Sequence, residues 1–276
     1  MMPADDASLF ILDTSGGAGD TFVATDYARG PWDPRSCHGG PVSALLTRAC
    51  EQADAADTIG APSPWQLARI TVELTRPVPV LTPLTLRTEI ERPGRNVSMI
   101  GALITLADGT EVARARALRI RDADVPITSE YTLEPPFSAP GTGTPSQTDW
   151  ASGQIAFHHD SVDMRFAEGS FGSGVVSLWC RLLVPVLPDE TPSGPQRAAS
   201  TADFSNGVSG ELDAEQMIFI NPDLTVHLLR VPQGEWIGMQ ARSHYGGRGA
   251  GLAEGALFDE FGRCGRSVQS LFLAPR

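Results

Sequence analysis

The chain has 276 residues, 41% of them hydrophobic, a length that suits one large domain or two small ones, each with a packed core. Its formal net charge of −12 gives an acidic surface that repels phosphate backbones and anionic membranes, which argues against nucleic acid and lipid surfaces as partners. A local group of arginines can still receive a ligand with a few phosphates. All 21 basic residues are arginine, so Schiff-base, pyridoxal-phosphate and P-loop nucleotide enzymes, which need a lysine at the reacting centre, are excluded.

In chain order, Met1 to Asp13 is acidic and lacks a basic region followed by a long apolar run, so no secretory signal is expected. Gly30-Pro31-Trp32 leads to His38-Gly39-Gly40-Pro41, which opens a run from Val42 to Ala56. Val42, Leu45, Leu46, Ala49 and Ala53 recur there at helical spacing. Proline near the start suits a helix, and the paired glycines let a backbone or ligand come close. Ile70 to Arg76 alternates apolar with polar residues, the period of a half-buried strand. Glycine turns at Pro93-Gly94-Arg95 and Asp108-Gly109 then divide the strands of an antiparallel meander.

From Asp122 to Gly153, prolines and glycines are too dense for a helix or a central strand, and this stretch is read as a linker. Beyond it, Ser161 to Phe166 and Val175 to Leu183 read as strands. Ser193 to Asn206 reads as a shorter helix stopped at Asn206-Gly207. Leu224 to Arg230 then repeats the pattern of Ile70 to Arg76, sharing Thr, Val, Leu and Arg at matching places. Gly246-Gly247-Arg248 answers Pro93-Gly94-Arg95, Glu254 to Leu257 answers Gly101 to Ile104, and Phe261-Gly262 answers Asp108-Gly109. An offset near ~150 residues, with one residue slipped, marks a duplication. Each half is therefore expected to run strand, strand, helix, three strands. The predicted units are residues 1–121 and 154–276, joined by 122–153.

No apolar stretch approaches the ~20 residues that span a bilayer. Cys37, Cys50, Cys180 and Cys264 form no CxxC pair, and the five histidines form no HExxH, so neither a zinc site nor a disulfide scaffold is expected. The glycine-rich Gly246 to Gly251 lies between strands and lacks the strand-turn-helix context of a dinucleotide loop. No GxSxG elbow is present, because Gly207-Val208-Ser209-Gly210 has the wrong spacing. The expectation is a cytoplasmic protein with reduced thiols and no cofactor.

The order of elements resembles the hotdog fold. Gly30-Pro31-Trp32 with His38-Gly39-Gly40-Pro41 is similar to the start of the central helix in the thioesterase-like superfamily. Leu74 to Pro79 is similar to its next strand, and Glu91 to Arg95 to the turn after it. Thr201-Ala202-Asp203-Phe204, Asn221 to Arg230, Leu257 to Arg263 and Ser267 to Ser270 resemble the second hotdog of the acyl-CoA thioesterase II group. The resemblance covers nearly the whole chain. It implies an α+β double hotdog, two helix-on-antiparallel-sheet units in one chain, with acyl-CoA as substrate, and it admits pairing into a homodimer. It also implies hydrolysis by an activated water without a covalent serine. The family's Asp falls on Asp203 and its Gln on Gln269, while the hydroxyl position is taken by Asn221, an amide that holds a water but relays no proton.

Thioester hydrolysis needs an activated water, an oxyanion contact and a dry slot for the acyl chain. Asp203 is a candidate base. Gln269 is read as matching Arg116 of the first half, a difference expected if one polar cluster survived duplication. His38 is a second acid–base candidate, and the Gly39 and Gly40 amides at a helix start form a natural oxyanion contact. Thr225 and Arg248 are taken with His38, Gly39 and Gly40 as substrate contacts, and Arg76, Arg95 and Arg230 are further arginines for the phosphates of CoA. Two other readings stay open at this point: a non-catalytic acyl-CoA or lipid-binding hotdog protein, and a hydratase resting on Asp33 and His38.

Overall fold

A computed structural model describes residues 7–13, 21–53, 65–127, 133–146 and 154–276. The elements in order are β1 (Phe10–Leu12), β2 (Thr21–Ala24), α1 (Gly39–Gln52), β3 (Trp65–Glu73), β4 (Pro83–Arg92), β5 (Val97–Thr105) and β6 (Glu111–Arg121). There follow β7 (Thr144–Pro145), α2 (Phe157–Asp160), β8 (Val162–Glu168), β9 (Val176–Leu182), α3 (Gly194–Ala202) and α4 (Ser205–Ser209). Last come β10 (Met217–Ile220), β11 (Asp223–Leu228), β12 (Trp236–Tyr245), β13 (Ala250–Asp259) and β14 (Gly262–Pro275). A turn of 3-10 helix spans Asp26–Ala28.

All the strands join one antiparallel sheet in the order β1-β2-β4-β5-β6-β3-β11-β14-β13-β12-β9-β8-β7, with β10 paired to β14 beside this path. The order reads alike from either side of the β3–β11 pair: meander β4-β5-β6 flanks β3 as meander β12-β13-β14 flanks β11. Thr71 pairs with Thr225 at that junction, with Val72 opposite Leu224 and Ile70 opposite Val226. Register irregularities recur at matching places, between Ile104 and Thr105 in one meander and between Leu257 and Phe258 in the other. The sequence reading undercounts the strands after each helix, because β3 and β11 each precede a three-stranded meander.

The helix α1 is buried on nearly every side, from Gly40 through Thr47 and at Ala49 and Cys50. A helix in that position needs small or apolar residues all round rather than on one stripe. The sheet covers part of it and α3 covers another part, so Leu45, Ile70, Leu84 and Ile100 share one core with Leu178, Leu224, Val226 and Met239. The helix closes at Gln52 with Ala53 as its cap. The end expected at Ala56 lies outside the described residues.

Two expectations are corrected by the fold. The helix proposed over Ser193 to Asn206 breaks at Asp203-Phe204, and Asn206-Gly207 lies inside α4 instead of stopping α3. The described part of the linker is also more than a tether. Phe137 packs on Trp179 and Phe258, Glu134 binds Arg263 at 3.0 Å, and β7 forms the last strand at one edge of the sheet. The remainder of the linker, 128–132 and 147–153, lies outside the described residues.

Candidate active site

The antiparallel pairing of α1 and α3 places the N-terminus of the first against the C-terminus of the second. Asp203, the C-cap of α3, therefore arrives at the start of α1. The approach is close enough to require glycine. A Cβ at Gly39 would lie 2.7 Å from both carboxylate oxygens of Asp203, and one at Gly40 would lie 2.8 Å from the Ser200 carbonyl oxygen.

Asp203 is buried. Asn221 Nδ2 donates to its Oδ1 at 2.8 Å, and Gln269 Nε2 lies 3.3 Å from the same oxygen and 3.2 Å from the Asp203 carbonyl. His38 Nδ1 lies 2.8 Å from Oδ2, with 13% of its side chain exposed against 3% for Asp203. A carboxylate oxygen accepts, so the contact with Oδ2 calls for the His38 tautomer with its hydrogen on Nδ1. The Gly40 amide nitrogen is 3.0 Å from that same Nδ1. A protonated Nδ1 donates to Asp203 and a bare one accepts from Gly40, so the nitrogen serves one partner at a time.

His38, Asp203 and Asn221 border a cavity of about 400 Å³. His38, Gly39, Asp203 and Asn221 stand on its wall with Trp32, Phe171, Phe204 and Phe219, an apolar slot with a few convergent polar groups. Gln269 is fully buried and is not on that wall. Its Oε1 accepts from the Asn206 amide at 3.1 Å, so both ends of its side chain are tied and it braces Asp203 from behind. Cys37 also lines the cavity, but burial pushes its thiol up to about 12, which leaves no thiolate nucleophile.

The sequence reading is corrected at several positions. Gln269 answers Ala117 and not Arg116: Ala117 pairs with Ile100 as Gln269 pairs with Ala253, while Arg116 pairs with Gly101 as Val268 pairs with Glu254. The contrast is a buried alanine against a buried amide; Arg116 sits on the exposed face in an ion pair with Glu91. Thr225 is apart from the cavity, its hydroxyl 3.1 Å from that of Thr71 at the junction of the two meanders. Arg248 lies in the exposed β12–β13 hairpin, also outside the cavity. Asp33 is paired with Arg35 at 2.9 Å, so the partner of His38 is Asp203 and the Asp33–His38 pair of the hydratase reading does not form.

Two further polar residues of the wall, His158 and Asn206, are not among the functional candidates of the sequence. Burial, with His38 and His159 nearby, pushes His158 down to about 4, so it is a neutral imidazole at pH 7. Asn206 is buried, its Nδ2 donates to the Phe219 carbonyl at 2.7 Å, and its Oδ1 has no protein partner. The His158-His159-Asp160 cluster just past the linker is the one signal that would have pointed to the first. Nothing local marks Asn206, which reads as a helix stop.

Residues 28–120 match the acyl-CoA thioesterase N-terminal domain family and residues 134–273 the acyl-CoA thioesterase C-terminal domain family. No curated protein matches the chain in sequence. Among solved structures, a hotdog-fold protein of unknown function from Alicyclobacillus acidocaldarius is similar with a TM-score of 0.67 at 16% identity, covering 98% of this chain and 97% of that one. The tesB protein of Mycobacterium avium subsp. paratuberculosis is similar with a TM-score of 0.64 at 16% identity, covering 96% of each chain. The acyl-CoA thioesterase II TesB2 of Mycobacterium marinum is similar with a TM-score of 0.63 at 15% identity, covering 96% of this chain and 95% of that one. At those identities the structures establish a hotdog fold. The two domain matches, which together span most of the sequence, establish that the chain belongs to the acyl-CoA thioesterase family. Its reaction is hydrolysis of an acyl-CoA thioester.

Proposed function

We propose that the chain is two hotdog units, residues 1–121 and 154–276 joined by 122–153, sharing one water-activating site where α1 of the first meets α3 of the second. The mirrored strand order about Thr71 and Thr225 supports the two units. The observation that carries the site is the contact of 2.8 Å between His38 Nδ1 and Asp203 Oδ2 beside the apolar cavity.

In this reading the acyl chain lies along Trp32, Phe171, Phe204 and Phe219, and the thioester carbonyl faces the Gly39 amide at the start of α1. A first-turn N–H has no partner within its helix and lies at the positive end of the dipole, so it suits a developing oxyanion. Asn221 Oδ1, with Nδ2 committed to Asp203, holds the water. The second nitrogen of His38 takes a proton from that water as its oxygen attacks the carbonyl carbon, and Asp203 stabilises the imidazolium. The tetrahedral oxyanion then collapses, the C–S bond breaks, and His38 returns the proton to the departing CoA thiolate. Gln269 positions Asp203 and does not touch substrate. No helix among the described residues is long and apolar enough to cross a membrane. The four cysteines form no disulfide, which supports a reducing compartment, and we place the reaction in the cytoplasm.

The test is thiol release from short, medium and long acyl-CoAs by the whole chain and its variants. Asp203→Asn and His38→Asn are expected to lower kcat by about 10²-fold or more, with KM changed little. Asn221→Ala and Gln269→Ala are expected to lower it by about tenfold. Full activity in His38→Asn with loss in Asp203→Asn would return the role of base to Asp203 alone.

A further inference from the structure

The duplication places two arginines at matching positions, and their surroundings differ. Arg76 follows β3 as Arg230 follows β11, each five residues past the threonine of the Thr71–Thr225 pair. Arg230 is held by Asp259, a fully buried carboxylate at the end of β13: Nη2 donates to Oδ1 at 2.6 Å, and Nη1 contacts Oδ2. The register that aligns Ile104 with Leu257 aligns Leu106 with Asp259, so the first half has a leucine where the second has the acid. Arg76 is accordingly in no ion pair among the described residues. Its Nη1 donates to the Glu111 backbone carbonyl at 2.8 Å, and the Glu111 carboxylate turns to Arg114 instead.

The place where this charge is left uncancelled is the rim of the cavity that holds His38 and Asp203. Arg76 is exposed there. Asp33, the acid on the same rim, is neutralised by Arg35. Trp32, on the same cavity wall, is 43% exposed, with the Arg276 guanidinium over its ring at 5.8 Å. A chain of net charge −12 repels a polyanion unless cations are set where the polyanion must dock. One bond to a backbone carbonyl fixes the Arg76 guanidinium and leaves its other N–H donors free for phosphate oxygens.

Resting on the reading of this cavity as the active site, we propose that Arg76 binds a phosphate of the nucleotide end of CoA and makes the enzyme selective for CoA thioesters over thioesters of shorter, unphosphorylated thiols. The acyl end enters the apolar slot, the thioester lies between His38 and Gly39, and the phosphates stay at the rim. Arg76 is thus a specificity residue that acts on binding and is remote from the proton transfer.

The experiment compares one acyl group carried on CoA and on pantetheine, with whole-chain wild type, Arg76→Ala and Arg76→Lys. Arg76→Ala is expected to raise KM for acyl-CoA about tenfold or more, the effect of losing a charge-assisted contact, while kcat stays within about twofold and kcat/KM for acyl-pantetheine is unchanged. Inhibition by adenosine 3′,5′-bisphosphate, which carries the nucleotide phosphates without the thiol arm, is expected to weaken in parallel. Arg76→Lys, which keeps a point charge, is expected to recover part of both effects. An unchanged KM for acyl-CoA, or an equal loss on both substrates, overturns the proposal. Asp203→Asn is assayed alongside: if it retains turnover, the reading of the cavity itself fails.

Discussion

At the residue scale the site depends on what is missing at position 39. A methyl group there would sit 2.7 Å from both oxygens of Asp203, well inside van der Waals contact, so either α1 or the carboxylate must shift. A displacement of about 1 Å in a reacting group costs on the order of 10²-fold in rate. Gly39→Ala is therefore expected to lower kcat for the preferred acyl-CoA by at least about tenfold. Its cost in stability is expected to be only about 1–3 kcal/mol, the usual range for overpacking, read from the thermal midpoint. Equal kcat in wild type and variant would show that the contact between Gly39 and Asp203 has no part in the chemistry. Gln269 shows how a residue can be legible by type and still be misplaced. Its counterpart is Ala117, one position from the Arg116 that the sequence offset aligns with it, and in a strand one position is the difference between the buried face and the exposed one.

At the scale of elements, the short helix α2 is anchored to the segment just before α1: the Phe157 amide donates to the Arg29 carbonyl at 2.9 Å, and Ser161 Oγ donates to the Tyr27 carbonyl at 2.7 Å. It carries His158 into the cavity wall, where burial depresses its basicity from 6.5 to about 4. A histidine held neutral by the fold contributes stability that is present above its ordinary pKa, and that contribution is lost as pH falls from about 6.5 through about 4. Thermal midpoints at pH 7.5 and pH 5 are expected to fall further for wild type than for His158→Gln, whose side chain takes up no proton. Equal falls would assign the acid sensitivity to other groups. The break of α3 at Asp203 belongs to the same scale. A helix continued to Asn206 would carry Asp203 inside its last turn, whereas the break makes it a cap beside Gln269 and Asn221.

At the scale of the molecule, the candidate site is divided between the ends of the chain. His38 and Gly39 precede the linker, whereas Asp203, Asn221 and Gln269 follow it. The β3–β11 pairing and the α1–α3 contact join the two parts into one core. Separately produced 1–121 and 122–276 are each expected to release no thiol from acyl-CoA, and mixing them is expected to restore measurable turnover. Turnover by 122–276 alone would show that the later part of the chain holds the whole site.

Much of this was legible in the sequence because it depends on local periodicity. Val42 to Ala49 at helical spacing, the alternation of Ile70 to Arg76 and of Leu224 to Arg230, and the glycine turns set the elements and show one pattern recurring along the chain. Asp203, Asn221 and Gln269 are candidates through the thioesterase II resemblance, and Asn221 and Gln269 both donate to the Asp203 carboxylate. What the sequence left undecided was every contact made between the segments before residue 122 and those after residue 153. That Asp203 faces His38 and not the solvent, that Thr225 turns from the cavity to meet Thr71, and that Arg76 is without the acid that holds Arg230 all follow from strand register and from the antiparallel approach of two helices. Register and helix approach are fixed by burial of one shared core, a property of the whole chain, and no window of sequence contains them.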